Sequence, residues 1–313
     1  EAQIYTEESL AIFRQLSNPS GQVVMLNLLA SILKSHGDYI AAQAVIEESV
    51  TIARTLDKPA LLAVTLYGLW ELLTELNDQA TARIVLPEMV SLWLSLGHPL
   101  YQAEALMTLA EDAFQQGELS LAQAHGEEAL QLYRSVDKSW DVALALSLVG
   151  RITWCQGDKA RATAFLDERL MLARKFGVQS SLCISLLLSG LVAQANNNQL
   201  QAQMLLSECL ALVRGDNDLY NLWSRAFAAY LLSGLAGLLK SPEHAAHLLG
   251  TATRLLVTAH LPSYRFEHSH YERILAAVRS VLPSEIFVEA FAAGQQMTLE
   301  EAFVTILLPT VFD

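Results

Sequence analysis

The feature that most constrains this chain is a recurrence every forty residues. His36-Gly37-Asp38-Tyr39 is followed by Ala41-Ala42, and Leu76-Asn77-Asp78-Gln79 by Ala80 and Ala82. Gln116-Gly117-Glu118-Leu119 precedes Ala122, Gln156-Gly157-Asp158-Lys159 precedes Ala160 and Ala162, and Asn197-Asn198-Gln199 precedes Ala202. Positions 37, 77, 117, 157 and 197 are all Gly or Asn. Those two residue types enter the left-handed backbone region at least cost, as a tight turn between two helices requires.

A second marker keeps the same register. Asn18-Pro19, Lys58-Pro59 and His98-Pro99 are followed at the same interval by Lys138-Ser139 and Val178-Gln179. Proline suits the first turn of a helix, where its missing N–H has no partner to lose. Each unit therefore reads as helix A, a short turn, helix B and a second short turn. The apolar spacing agrees: Leu26/Leu29/Ala30/Leu33, Leu66/Leu69/Trp70/Leu73, Leu106/Leu109/Ala110/Ala113, Leu146/Val149/Gly150/Thr153 and Leu186/Ser189/Gly190/Ala193 each mark one helical face. Ala30, Ala110, Gly150 and Gly190 share one repeat position, where a small residue lets helices approach closely. No strand-like alternation spans a unit, so the chain is expected to be all-α.

This pattern resembles the tetratricopeptide repeat (TPR). Five full units match from Val23 to Gly215, and Glu1 to Leu16 matches the helix B of a preceding unit. The repeat is longer than the usual length of about 34 residues. Pro87, inside a helix B, should kink that helix or delay its start. The resemblance implies a right-handed superhelical solenoid of antiparallel helix pairs. The expected organisation is a TPR-like array over 1–218 and a last hairpin with capping helices over 219–313.

From Leu219 the register is lost. The tail carries Ala245-Ala246-His247-Leu248-Leu249-Gly250, then Leu261-Pro262, Tyr271-Glu272-Arg273-Ile274-Leu275-Ala276-Ala277-Val278-Arg279, and Leu299-Glu300-Glu301-Ala302. Thr298 and Glu301 have the spacing of a capping box opening the last helix. This order resembles the C-terminal end of bacterial STAND-class signal-transduction ATPases, many of them transcriptional regulators of LuxR or winged-helix type. The resemblance implies an effector-sensing, autoinhibitory module of a larger cytoplasmic protein, with intramolecular contact to an ATPase upstream of Glu1. The competing reading is a constitutive protein-interaction scaffold without a ligand switch.

Composition narrows the partners. The 313 residues include 20 Lys+Arg and 33 Asp+Glu, so the net charge is 20 − 33 = −13. Such a surface repels nucleic-acid phosphates and anionic membranes, and neither is expected as a partner. A hydrophobic content of 52% excludes a disordered chain. The longest greasy stretches, Leu182–Ala195 and Ala226–Leu239, are shorter than the roughly 20 residues a membrane span needs. Cys155, Cys183 and Cys209 are too few and too scattered for a disulfide framework; they fit a reducing compartment and buried, inert thiols.

No chemistry-bearing motif stands out. There is no Gly-Lys pair for a phosphate loop, no Gly-x-Ser-x-Gly elbow and no His-Glu-x-x-His. His244/His247 and His268/His270 are pairs without further metal ligands nearby in sequence. No enzyme activity, cofactor or metal is expected of this chain.

A ligand is expected on the face lined by the A helices, which is the concave wall in the family it resembles. The family pattern places Asn27, Tyr67, Met107 and Leu187 in one inner column. Glu71, Glu111, Arg151 and Leu191 form the next, with Glu75 and Trp154 nearby. The columns change from acidic to apolar along the chain, and no charged residue occurs from Val178 to Ser207. The expected ligand is a peptide or protein segment with a basic and an apolar part, or a small molecule stacked on Tyr67 or Trp154. The apolar end is equally suited to closure by the C-terminal helices.

Overall fold

The computed structural model describes residues 2–215, 225–259 and 265–306. The described residues form sixteen α-helices and no strand. After α1 (Ala2–Gln15), the A helices are α2 (Pro19–Ser35), α4 (Pro59–Glu75), α6 (Pro99–Gln116), α8 (Ser139–Cys155) and α10 (Gln179–Ala195). The B helices are α3 (Tyr39–Ala53), α5 (Gln79–Ser95), α7 (Leu119–Ser135), α9 (Lys159–Phe176) and α11 (Gln199–Gly215). The tail contributes α12 (Arg225–Ala236), α13 (Pro242–Ala259), α14 (Arg265–Val281), α15 (Ser284–Gln296) and α16 (Leu299–Ile306). The fold is all-α and TPR-like. The point at 218/219 where the register was expected to end lies outside the described residues, as does Leu261-Pro262.

The helix ends follow from the turn residues. Gly37, Asn77, Gly117, Gly157 and Asn197 all have positive φ, as the recurrence requires. So do Ser17, Gly97, Asp137 and Gly177 in the other set of turns, which the proline marker locates but does not explain. Asn18, Asp38, Asp78 and Asp158 accept the N–H of the residue three positions on, satisfying a donor that the helix leaves unpaired. Pro19, Pro59 and Pro99 open α2, α4 and α6. The expected late start caused by Pro87 does not occur: α5 begins in register at Gln79 and continues through Pro87, which sits on its exposed side. Thr298 and Glu301 close their capping box reciprocally, at 2.7 Å from Thr298 N to Glu301 Oε2 and 3.2 Å from Glu301 N to Thr298 Oγ1.

A ladder of ion pairs links successive B helices. Arg14–Glu48, Arg54–Glu88, Arg134–Glu168 and Arg174–Glu208 lie at 2.6–2.7 Å, each pair 34 residues apart. All are at the surface, so each contributes little stability, but together they favour the stacking register.

The helices fall into two compact units. The first spans Glu1–Leu109; the second starts at Ala110 and includes the tail. In the first unit α2 packs on α3 and α4, and α4 on α5. Its core joins Ala42, Ile46, Leu66, Trp70, Leu73, Met89 and Trp93. In the second, α7 to α11 pack each on the next, α12 and α14 pack back on them, and α12, α13 and α14 pack on one another. Gly150 and Gly190 fit the expected close approach: a Cβ on either would meet the side chain of Leu166 or Leu206 at under 3.0 Å. Cys183 and Cys209 are buried as expected, whereas Cys155 is only half-buried.

Candidate functional site

In the first unit the A-helix face carries a compact polar and aromatic group. Asn27 on α2 accepts from Ser49 Oγ on α3 at 2.6 Å and donates to Thr65 Oγ1 on α4 at 3.0 Å. Both ends of its amide are used inside the stack, so Asn27 is a strut among three helices. Tyr67 is half-buried, its ring 5.8 Å from that of Trp93 and 6.0 Å from that of Trp70. One turn on, Lys34 Nζ lies 2.6 Å from Glu71 Oε2 and 3.3 Å from Glu75 Oε1. One lysine thus faces two carboxylates, leaving the trio net negative.

The electrostatics follow from partial burial. Burial alone would lower the Lys34 pKa, but Glu71 and Glu75 outweigh it and hold the ammonium above its ordinary value. The Glu75 carboxyl is pushed up, chiefly by burial and further by Glu71, with Lys34 only partly opposing. Met107 and Glu111 are half-buried on α6, Met107 in the first unit and Glu111 in the second.

In the second unit the expected site residues contact the tail. Arg151 and Trp154 on α8 already face another element of the chain. Arg151 Nη1 lies 3.3 Å from Glu267 Oε1 on α14, and the guanidinium sits 5.9 Å from the centroid of the Phe114 ring. Trp154 meets Phe266 edge-on at 6.0 Å and His270 at 5.5 Å, with Lys159 Nζ 5.6 Å from its ring centroid. His270 is almost fully buried, and its pKa falls to about 3, first through burial and then through Arg273 and Lys159. It is neutral at physiological pH.

Leu187 and Leu191, expected as the apolar wall of a groove, are buried. Helix α12 lies on Leu191: a Cβ on Gly234 would touch Leu191 Cδ2 at 3.0 Å, and Gln194 Nε2 donates to Gly234 O at 3.0 Å. Of the two arrangements that the sequence left open for the apolar end, cover by a C-terminal helix is the one in which Leu191 and Gln194 of α10 take part. The structure brings Asn27, Tyr67, Glu71 and Glu75 together in one unit and Arg151 and Trp154 together in the other.

Sequence reasoning overlooked Phe266 and Glu267, which lie just ahead of the tail motif that begins at Tyr271, and weighed His270 only as half of a histidine pair without further metal ligands. It also overlooked Arg169, which is buried between α9 and α10. The repeat carried a signal for it. Arg169 shares its position with Ser49, Met89, Ala129 and Cys209, all buried and all uncharged. A cleft of about 220 Å³ lies among Thr163, Asp167, Ser189, Asn196 and Gln201; burial raises the Asp167 pKa there. No group of three or more metal-binding side chains occurs among the described residues, and no described helix is long and apolar enough to cross a membrane.

No protein-family model matches the sequence, and no curated protein is significantly similar to it. Solved structures are similar in fold. BtubC from P. vanneervenii superposes with a TM-score of 0.55 at 18% identity, over 68% of this chain and 90% of that one. A Rap protein complexed with competence and sporulation factor superposes with a TM-score of 0.56 at 11% identity, over 92% and 87% respectively. A Podosopora anserina kinesin light chain with TPR-like repeats gives 0.48 at 19% identity, over 62% and 95%. For BtubC and the Rap protein, at these identities, the likeness is one of fold.

Proposed function

We propose that this chain is a non-catalytic recognition module that binds a protein or peptide segment on the A-helix face of its first unit. The observation that carries this reading is the arrangement of Glu71 and Glu75 around a single lysine, one helical turn from the Tyr67 ring. Two carboxylates beside an aromatic edge suit a segment with a basic side chain and an apolar neighbour. The basic group competes with Lys34 for the carboxylates, and the apolar group covers Tyr67. The fold supports the reading, since stacked helical repeats commonly serve in protein interaction. The Rap protein of similar fold was captured with a bound factor.

The finer reading is an effector sensor, held autoinhibited within a STAND-class regulator in the cytoplasm. Its support is the sequence of the tail together with the seating of α14 on Arg151 and Trp154. Such a switch needs an effector that binds one arrangement of the tail better than the other. The competing scaffold reading is favoured by the burial of Leu187 and Leu191, which leaves that end nothing to capture.

The test is selection of random short peptides on the full chain, followed by affinity measurement. Enriched peptides should pair Lys or Arg with an aromatic or aliphatic residue. Glu71→Lys and Tyr67→Ala should each weaken them by about tenfold or more, the loss of one charge-assisted contact. Unchanged affinity in Glu71→Lys would reject this site.

A further inference from the structure

One repeat position on the B helices holds a carboxylate at Glu47, Glu127 and Asp167. The first two are partnered. Glu47 accepts from Gln43 Nε2 at 2.9 Å. Glu127 accepts from Gln123 Nε2 and, at 2.8 Å, from Arg161 Nη2 on the next B helix. Asp167 has no hydrogen bond or ion pair among the described residues. Burial alone acts on its carboxyl and pushes the pKa up.

The neighbours of Asp167 explain the difference. The counterpart of Gln123 is the shorter Thr163, whose hydroxyl donates to Lys159 O at 2.8 Å. Arg161 stands 34 residues after Glu127, and Gln201 stands at the same interval after Asp167. Gln201 is uncharged, and its amide oxygen accepts from Asn198 Nδ2 at 2.8 Å. Two partners of the carboxylate are thus replaced at once, and room is left where they would lie. Asp167, Thr163 and Gln201 all line the cleft of about 220 Å³ in the second unit. Its floor includes the buried apolar side chains of Leu166 and Val192.

A guanidinium suits these walls. Its edge donates two parallel hydrogen bonds to a carboxylate, and its weakly hydrated faces lie readily on apolar side chains. An ammonium holds its water more strongly and has no flat face to offer. The cleft is smaller than the pockets of drug-sized ligands, so it suits one functional group on a short stem.

We propose that this cleft binds a guanidinium group, which a ligand supplies to Asp167 in the place that Arg161 takes beside Glu127. The source is either a free alkylguanidine or an arginine side chain of a bound segment. The site is in a different unit from the Tyr67 face and does not depend on it.

Chemical-shift titration of the isotope-labelled full chain tests the proposal. Propylguanidinium, propylammonium and N-acetyl-arginine amide are compared at equal ionic strength. Propylguanidinium should move the side-chain amide signals of Asn196 and Gln201, which line the cleft, and saturate at about 1 mM. Propylammonium should bind about tenfold more weakly. Asp167→Asn should weaken propylguanidinium about tenfold or more. Gln201→Arg should do the same, because it rebuilds the internal pair and fills the cleft. Glu71→Lys should leave the titration unchanged, which separates this site from the Tyr67 face. Tighter binding of N-acetyl-arginine amide than of propylguanidinium supports the site with an arginine side chain as its occupant; equal or weaker binding supports it with a free alkylguanidine. Undiminished affinity in Asp167→Asn or in Gln201→Arg would overturn the proposal, as would tighter binding of propylammonium or the absence of shifts at Asn196 and Gln201.

Discussion

Arg151 Nη1 and Glu267 Oε1 lie 3.3 Å apart although 116 positions separate them in the chain. Both side chains are largely buried, at 15% and 9% exposure. The contact seats α14 on α8, so a face expected to meet a ligand also carries the protein's own tail. Whatever acts on Arg151 must act on the position of α14 as well.

Removal of one partner should therefore cost more than removal of both. Arg151→Met leaves Glu267 buried without its cation and should lower unfolding stability by about 3 kcal/mol. The double variant Arg151→Met/Glu267→Leu should recover a large part of that loss, because the carboxylate at 267 is no longer stranded. Urea denaturation of the wild type, both single variants and the double variant measures the coupling. A double variant as unstable as the worse single variant would show that the pair is not what holds α14.

His270 makes the same seat sensitive to acid. Its pKa of about 3 in the folded chain is far below the unfolded value of about 6.5. The unfolded state thus binds the proton more readily. The stability from neutral His270 is complete above the unfolded value and is lost as pH falls from about 6.5 towards 3. By pH 5 the loss should be about 2 kcal/mol. His270→Leu should flatten the stability profile between pH 6.5 and 5 by that amount. Parallel profiles for variant and wild type would refute the assignment.

Helices α13 and α15 cross on two glycines. A Cβ on Gly250 would fall well inside 3.0 Å of Phe291 O, and one on Gly294 equally close to His247 O. The obstructing atoms are backbone, so no rotamer change relieves them. Thr251 Oγ1 donates to Gly294 O at 2.7 Å and Arg254 Nη2 to Met297 O at 2.7 Å, which fixes the crossing further. Gly294→Ala gains about 1 kcal/mol of helix propensity and should still destabilise the protein by about 2–3 kcal/mol net. Chemical denaturation checks this, and a neutral or stabilising effect would mean that the two helices separate at little cost.

Much of this architecture was legible because the repeat fixes what is local. The Gly/Asn turn positions, the prolines at the starts of helices and the Thr298/Glu301 box depend on neighbours a few residues apart, and the structure carries each of them. Contacts of long sequence separation were not legible. Nothing in the spacing of Arg151 and Trp154 points to Phe266, Glu267 or His270. The uncharged run around Leu187 and Leu191 signals burial but not what provides it. Pro87 shows a related limit: its local cost is real, yet α5 starts in register at Gln79 and runs through it, with Met89 and Trp93 anchoring the helix in the core.

The trio of Lys34, Glu71 and Glu75 offers a test in which stability and binding part company. The Glu75 carboxyl is raised chiefly by burial, with Glu71 adding to the effect and Lys34 opposing it. A carboxyl raised on folding binds its proton more readily in the native state. Its favourable contribution is therefore present at low pH and lost as pH rises through the folded value. At neutral pH the ionised Glu75 is a net cost, reduced but not removed by the contact at 3.3 Å with Lys34. Glu75→Gln should accordingly stabilise the chain at neutral pH by on the order of 0.5 kcal/mol, the scale of a partly exposed ion pair. The same change removes one of the two carboxylates available to a basic ligand and should weaken a selected Lys/Arg-containing peptide about three- to tenfold. Lys34→Met should have the opposite effect on binding, because it removes the internal competitor for both carboxylates. Denaturant titration read beside fluorescence anisotropy on these variants separates a binding face from a merely strained corner of the fold. A Glu75→Gln variant that is less stable and binds undiminished would place the ligand elsewhere.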